Sequence, residues 1–295
     1  MNSGYLAGIF SFGFWGLIAL YWKELSAFDS YELLGHRIFW GVLTFLVYIL
    51  FKKPWGNLKA CIDTKKKRQS LYLTTGLIFS NWFVFVWAVG SGHVLEASIG
   101  YFINPLINVA LGVFILKETL RPRQRVAVVL AFLGLVILLS SGVGRIDISL
   151  FLACTFGTYG LLRKRMNIPS MEGLFFEMLL SLTPILIYFF YKEFSGAGLS
   201  FFKVSSREQF LAALAGIVTL IPLVTFNYAV KKIPLISVGL LQYIAPTLQF
   251  ILAVFVYGEL FTKSHAYAFS LIWGALIIYT FDLVTSTRTQ RVASA

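Results

Sequence analysis

The segment SIGYFINPLINVALGVFILKE, residues 98–118, decides the fold because a near copy of it follows later in the chain. The copy reads SVGLLQYIAPTLQFILAVFVYGE and covers residues 237–259. In each copy a serine and a glycine lead to a proline, Pro105 or Pro246, and a glutamate follows that proline 13 residues later. A long apolar segment that recurs with the same spacing predicts an internal repeat.

The composition indicates a chain that folds in lipid. Of its 295 residues, 58% are hydrophobic and only 13% charged, and the mean hydropathy is +0.79. Ten apolar segments approach the length of about 20 residues that a helix needs to cross a hydrocarbon core. Backbone amides in lipid have no water to pair with, so we predict an all-α integral membrane protein with ten transmembrane helices. Their expected bounds are 4–22, 33–51, 71–90, 95–116, 125–142, 147–163, 172–191, 209–230, 235–257 and 265–284.

The 25 Lys and Arg residues are divided unevenly between the two sides of the membrane. If the loops alternate between sides, 18 lie on the side of both chain ends and 6 on the other, while Arg37 falls within a span. Loops rich in Lys and Arg stay in the cytoplasm, so both termini are predicted to be cytoplasmic. We therefore interpret the basic runs at residues 65–68 and 163–165 as determinants of topology, and we expect no nucleic acid partner.

Five spans in each half make the repeat inverted, because an odd number of crossings brings the second half into the membrane from the opposite side. The first repeat is expected to cover residues 1–142 and the second residues 143–285, followed by a cytoplasmic tail, residues 286–295. Glu118 and Glu259 end the two copies of the opening segment. We expect each to cap the segment that follows it.

Shorter matches extend the repeat. SFGFWGL at residues 11–17 pairs with TFGTYGL at residues 155–161, and SYELL before the second span pairs with SMEGL before the seventh. In this register Arg37 corresponds to Glu177, so one half offers a cation where the other offers an anion. The matched glycines in the first and sixth spans are expected to let helices approach closely. They are Gly13, Gly16, Gly157 and Gly160.

Two similar halves can pack in two arrangements that open on opposite faces of the membrane, with a site between them. Pro105 and Pro246 are expected to kink their helices there, either for packing alone or to form the site as well. Polar side chains beside the prolines either line a wet cavity or hydrogen-bond between helices. They are Tyr101, Asn104, Gln242, Tyr243 and Gln249.

Ionisable residues near the helix ends are candidates for binding or coupling. Arg37, with His36 beside it, either extends to the interface, pairs with a carboxylate such as Glu32 or Glu96, or contacts an anionic ligand. The same alternatives, which are an interfacial position, an internal ion pair and contact with a ligand, apply to Glu177 in the other half. Glu96, which follows His93, forms either a gate or proton relay or a local cap. We therefore treat His36, Glu96 and Glu177 as coupling or gate candidates, with H+ as a possible coupling ion.

Aromatic and amide residues elsewhere in the spans are further candidates for the cavity wall, with helix packing as the alternative for each. Aromatic rings would suit amphipathic or cationic solutes through stacking and cation–π contact. These candidates are Trp15, Asn81, Trp82, Trp87, Tyr159 and Asn227.

The sequence does not indicate an enzyme. Its three histidines, His36, His93 and His265, lie at different helix ends, and it contains no HExxH or CxxC motif. It also has no Walker A motif, so ATP hydrolysis is not expected to supply its energy. We expect no catalytic residue, metal site or cofactor.

Four segments carry a family resemblance, and together they cover nearly the whole chain in order. They read YELLGHRIFW (31–40), GHVLEASIGYFINPLINVALG (92–112), TFGTYGLLRK (155–164) and GLLQYIAPTLQF (239–250). The chain resembles the RarD family of EamA-type permeases, within the drug/metabolite transporter superfamily. The resemblance implies a ten-helix basket in the bacterial inner membrane with a central cavity. The family name is tied to chloramphenicol sensitivity, and the natural substrate is generally unassigned.

These observations predict a multi-pass secondary transporter that exports small organic metabolites or drugs by alternating access. The alternatives are a facilitative exchanger, an importer of amino acids or related metabolites, and a channel. The expected partners are a small-molecule substrate and the lipid bilayer. The chain is expected to be a monomer or a homodimer.

Overall fold

The computed structural model describes residues 3–140, 145–256 and 263–293, with side chains described as far as residue 285. These residues include ten helices that are long and apolar enough to cross a membrane, as predicted. We number them spans 1 to 10. They are Ser3–Lys23, Ser30–Lys52, Lys65–Gly90, Val94–Phe114, Pro122–Ser140, Ile146–Arg165, Ser170–Phe194, Ser206–Lys232, Leu235–Val256 and Lys263–Thr285, the last within a helix that runs to Ala293.

The observed bounds differ from the predicted ones mainly around span 3. This span begins at Lys65, six residues before the expected start, because the Thr64 hydroxyl accepts a hydrogen bond from the Lys67 amide and caps the helix. The basic run at residues 65–68 is therefore helical. A short helix, Trp55–Ile62, occupies the preceding segment, which was expected to be a loop.

Neither cysteine is in a disulfide. Cys61 is fully buried in the short helix, whereas Cys154 in span 6 is exposed. Burial raises the pKa of the Cys61 thiol to about 11, so this thiol stays neutral at physiological pH.

The helix packing repeats when each span is exchanged with the one five places away. Span 1 packs on spans 8 and 9, and span 6 packs in the same way on spans 3 and 4. Span 2 packs on span 8 as span 7 packs on span 3, and spans 2 and 7, 4 and 9, and 5 and 10 pack on each other. This is the arrangement of two inverted five-helix repeats related by a pseudo-two-fold axis.

The two spans that carry the repeated prolines, spans 4 and 9, pack on each other. Span 4 is an uninterrupted helix with Pro105 inside it. Span 9 is interrupted at Tyr243 and resumes as Ile244–Ile251, so that Pro246 is the third residue of the new helix. A proline is tolerated there because the first amides of a helix have no partner within it.

The repeated glutamate joins the two halves. The Glu118 carboxylate accepts hydrogen bonds from the amides of Leu235 and Ile236, at 2.8 and 2.9 Å, and lies 3.7 Å from Lys164 Nζ. It therefore caps the start of span 9 in the other half, and not the segment that follows it. Glu259, its counterpart, lies outside the described residues.

Some of the matched glycines are close-packing positions. A Cβ at Gly16 would lie 2.6 Å from Leu248 Cβ in span 9, and one at Gly157 would lie 2.7 Å from Ile107 Cγ2 in span 4. Gly13 differs from the expectation, since no atom lies within 4 Å of its Cβ position. The closest approach between spans 4 and 9 is at Gly239, where a Cβ would lie 2.5 Å from the Pro105 carbonyl oxygen.

We predict that Gly239→Ala lowers stability by about 1–3 kcal/mol, because the added methyl group would push spans 4 and 9 apart. Gly76→Ala is the matched control, since Gly76 is exposed on span 3 with no atom within 4 Å of its Cβ position. Thermal unfolding in detergent should show a lower midpoint for Gly239→Ala, and an unchanged or slightly higher one for Gly76→Ala. Equal midpoints for the two variants would contradict this packing.

Candidate functional site

Three predicted residues meet in one cavity between spans 3, 4 and 6. Asn81, Tyr101 and Asn104 line it together with Gly100, Leu152 and Phe156. The space inside it is small, about that of one water molecule, and it is partly open to solvent. The Tyr101 side chain is 41% exposed although it lies in the second turn of a membrane span.

The two asparagines are held in place by span 6. The Asn81 side-chain amide donates hydrogen bonds to the Leu152 carbonyl oxygen at 2.8 Å and to the Thr155 hydroxyl at 2.9 Å. The Asn104 amide donates to the Ala153 carbonyl oxygen at 2.7 Å. Both alternatives considered for these residues therefore apply, because each joins helices and also lines the cavity.

A chain of amides connects the cavity to the crossing of spans 4 and 9. The Asn108 amide donates to Asn104 Oδ1 at 3.1 Å and to Gln242 Oε1 at 2.8 Å. The Tyr243 hydroxyl donates to the Phe102 carbonyl oxygen at 3.3 Å. Sequence reasoning missed Asn108, although its position four residues after Asn104 places both on one helix face.

Arg37 reaches from span 2 into the gap between spans 1 and 3. Its guanidinium carbon lies 5.0 Å from the centre of the Trp22 ring and 5.3 Å from that of Trp82. Its Nε donates to the Thr219 hydroxyl at 3.1 Å. Among the described residues no carboxylate oxygen lies within 4 Å of it.

The carboxylates that were considered as partners for Arg37 are occupied elsewhere. Glu32 pairs with Lys192 at 2.8 Å and accepts the amides of Ser200 and Phe201. Glu96 accepts the Arg145 amide at 3.4 Å and lies 3.7 Å from the His93 ring. Of the three roles expected for Arg37, a pair with Glu32 or Glu96 is therefore not formed.

A second polar cluster is buried between spans 6, 7 and 8, and we call it the buried ion network. The Arg163 guanidinium lies 3.4 Å from Glu177 and donates to Asn227 Oδ1 at 3.2 Å. The Tyr159 hydroxyl donates to Glu177 at 2.9 Å and accepts from the Asn227 amide at 2.9 Å. The Arg163 side chain has no exposed surface. Every member of the network is thus paired within the protein, as burial requires.

Arg163 corrects the interpretation of the basic run at residues 163–165. This residue is a buried ion-pair partner, so it does not act there as a surface determinant of topology. The sequence held a signal for this role, since Arg163 follows Tyr159 by four residues and therefore shares its helix face. Lys164 is half-buried and donates to the carbonyl oxygens of Val230 and Ile233.

The remaining predicted residues lie outside these two clusters. Trp15 packs edge-on against Phe156, which lines the cavity, and its carbonyl oxygen accepts the Gln249 amide at 3.3 Å. Trp87 stacks obliquely near His93 at the end of span 3. His36 is buried among aromatic rings, 3.6 Å from Glu32.

The cavity and the buried ion network lie toward opposite faces of the membrane. At these two faces the helix packing of one repeat differs from that of the other. The buried ion network lies on the side of both chain ends, where spans 6 and 8 pack together. The inverted repeat relates the packing of spans 6 and 8 to a packing of spans 1 and 3. In the described residues, spans 1 and 3 do not pack closely. Arg37 and the cavity are found on this far side. The structure is therefore closed on the side of the chain ends and looser on the other.

Ten apolar helices in two inverted repeats around a polar interior define a multi-pass membrane transporter, and the comparisons with known proteins agree. The EamA-like transporter family matches this chain twice, over residues 2–140 and 145–281. The chain belongs to that family and is a RarD-type permease of bacterial membranes.

Several relatives span almost the whole chain. It is 41% identical to the uncharacterized transporter YojE of Bacillus subtilis (strain 168), covering 95% of this chain and 94% of that protein. It is 38% identical to Protein RarD of Streptomyces exfoliatus, covering 98% and 92%. One solved crystal structure, 20% identical in sequence, superposes with a TM-score of 0.73 over 95% of this chain and 97% of that chain, which shows the same fold.

We predict that Glu177→Gln destabilises the protein by about 3–5 kcal/mol, because it leaves the buried Arg163 charge without its counter-ion. The double variant Arg163→Met/Glu177→Leu should recover most of this loss, since it removes both charges. Thermal unfolding in detergent measures both effects.

Asp147→Asn is the matched control for this experiment. Asp147 also pairs with an arginine, Arg145 at 2.6 Å, but both side chains are more than half exposed. An exposed pair contributes little, so the control should melt like the wild type. A Glu177→Gln variant as stable as the control would show that the network does not hold spans 6, 7 and 8 together.

Proposed function

We propose that this protein is a secondary transporter of the bacterial inner membrane that exports small organic metabolites or drugs by alternating access. The observation that carries the proposal is the broken symmetry of the helix packing. Spans 6 and 8 pack together toward one face of the membrane, whereas their counterparts, spans 1 and 3, do not pack closely toward the other face, where a small cavity lies between spans 3, 4 and 6. Exchanging these two arrangements would move the opening across the membrane.

The two repeats are the moving units in this proposal. We assign residues 1–142 and 143–285 to them, with residues 286–295 as a tail. The two family matches, at residues 2–140 and 145–281, support the division, as does the exchange symmetry of the packing. Both chain ends are placed in the cytoplasm because of the Lys and Arg distribution. The cavity would then open toward the periplasm.

The polar clusters have different roles in such a cycle. The buried ion network would hold the cytoplasmic face closed, since Arg163, Tyr159 and Glu177 join spans 6 and 7, and Asn227 adds span 8. Opening that face requires the network to rearrange or to gain water. Glu177 is the coupling candidate at this point, because a proton taken up there would remove the charge that Arg163 pairs with.

Access to the cavity can be tested by chemical labelling. We predict that Tyr101→Cys, in a chain with both native cysteines replaced by alanine, reacts in intact cells with a thiol reagent that cannot cross the membrane. Asn227→Cys is the control, because Asn227 has no exposed surface and lies in the closed half. Labelling of Tyr101→Cys only in inverted vesicles would place the cavity on the cytoplasmic side and reverse the proposed orientation.

The transport function is tested by counterflow in proteoliposomes. Solutes that raise the melting point of the purified protein are first identified from a panel of amino acids, organic acids, amines, nucleosides and phenicol drugs. We expect vesicles loaded with an unlabelled solute to accumulate its labelled form transiently, because an alternating-access carrier exchanges one molecule for another. A channel would show no counterflow, and that result would remove the proposal.

The same vesicles separate coupled transport from simple exchange. An imposed pH gradient should drive net accumulation if H+ is the coupling ion. Counterflow without any response to the gradient would favour the facilitative exchanger, which is the second candidate. The facilitative exchanger stays a candidate because the spans contain few carboxylates that could carry H+. One of them, Glu177, is already paired.

A further inference from the structure

We propose that Arg37 anchors the carboxylate of the transported solute, so that the substrates of this protein are small organic acids with an apolar or aromatic body. This inference rests on the proposed transport function and adds the chemical class of the solute. It concerns the cavity between spans 3, 4 and 6 and the guanidinium beside it.

Arg37 is the eighth residue of span 2 and lies further from the end of its span than Arg123 and Lys231, whose described partners are also neutral. Two other cations within the spans have counter-ions, since Arg163 pairs with Glu177 and Lys192 with Glu32. For Arg37 the described residues provide only neutral partners, namely a hydroxyl and aromatic rings. A cation held away from bulk water without a counter-ion raises the free energy of the folded protein. Proteins keep such groups mainly at functional sites.

The unused part of the guanidinium has the geometry that binds carboxylates. Its Nε donates to Thr219, which leaves both terminal nitrogens without a hydrogen-bond partner among the described residues. These two nitrogens form the planar fork that receives the two oxygens of a carboxylate. The rings of Trp22 and Trp82, at 5.0 and 5.3 Å, restrict the guanidinium and reduce the entropy lost on binding.

The adjoining cavity has room for only about one water molecule in this state, so the chemistry of its lining, and not its size, indicates the rest of the solute. Arg37 contacts the ring of Trp82, which directly follows Asn81 of the cavity, so the guanidinium and the cavity lie at a similar depth beside span 3. Phe156 and Leu152 provide apolar wall, while Asn81 and Asn104 provide amides. None of the residues lining the cavity is acidic, and Arg37 repels cations. The cationic solutes that the aromatic content suggested are therefore disfavoured relative to anions.

The test compares matched probes on the purified full chain in detergent. The probes are phenylacetate, its neutral isostere phenylacetamide and the amine phenethylamine, followed by a panel of aliphatic and aromatic carboxylates. We expect carboxylates to raise the melting point of the wild type and their neutral and cationic analogues to have little effect. If no carboxylate in the panel stabilises the wild type at millimolar concentration, the proposal is wrong.

Variants then connect binding to Arg37. Arg37→Gln should weaken binding of the stabilising carboxylate about tenfold or more, and Arg37→Lys should recover part of the loss because it keeps the charge without the fork. Arg207→Gln is the control, since Arg207 is exposed and pairs with Glu24. A folded Arg37→Gln variant that binds as tightly as the control would overturn the proposal and leave Arg37 as a packing residue.

Binding in detergent does not depend on transport, so the two proposals can fail separately. If neutral solutes show counterflow and Arg37→Gln leaves it unchanged, the proposed transport function stands and the proposed organic acid site is wrong. Carboxylate binding that depends on Arg37, without counterflow of any bound acid, would keep the site and reject the transport cycle.

Discussion

Polar groups inside lipid must find their partners within the protein, and this requirement organises the structure. Many of the polar side chains that the spans bring into the membrane find a partner on another span, often in the other half of the chain. Glu118 of the first half caps span 9 of the second, and Asn108 of span 4 donates to Gln242 of span 9. The halves are therefore joined by hydrogen bonds at their crossing as well as by packing, and neither half can satisfy its polar groups alone.

The close approach of spans 4 and 9 depends on the same requirement. Gly239 brings the backbone of span 9 against the Pro105 carbonyl oxygen, and only at this short separation can the amides of Asn108 and Gln242 meet. In the second copy of the opening segment the glycine lies at this crossing, whereas Gly100 of the first copy packs against Ser149 and Leu152 of span 6, so the two copies use the same residue types for different contacts.

The sequence predicted the fold almost completely. Span length and the repeat can be read from local composition, because only long apolar helices can cross lipid. The sequence predicted less of the site. Tyr101 and Asn104 were expected beside Pro105 and Asn81 was a separate candidate in span 3, and only the packing of spans 3, 4 and 6 brings the three together. The pairing of Arg163 with Glu177 was missed because a basic run at a helix end is usually solvated. Only the three-dimensional packing shows that span 8 covers it. Nor could periodicity show that Arg37 faces Trp22 and Trp82 from two other spans.

The inverted repeat makes the difference between Arg37 and Glu177 informative. These residues occupy matching positions in the two halves, yet Glu177 has an internal partner in Arg163, and the position that corresponds to Arg163 in span 1 is the uncharged Ala19. The half that closes the side of the chain ends therefore carries its own ion pair, while Arg37 in the opposite half has no carboxylate partner among the described residues. On the proposed cycle, closure around Arg37 would bury an unpaired charge unless a solute supplied the opposite one. An anionic solute bound to Arg37 would lower the free energy needed to close the far side of the protein. The loaded protein would then close readily and the empty protein would not, as an exchanger requires.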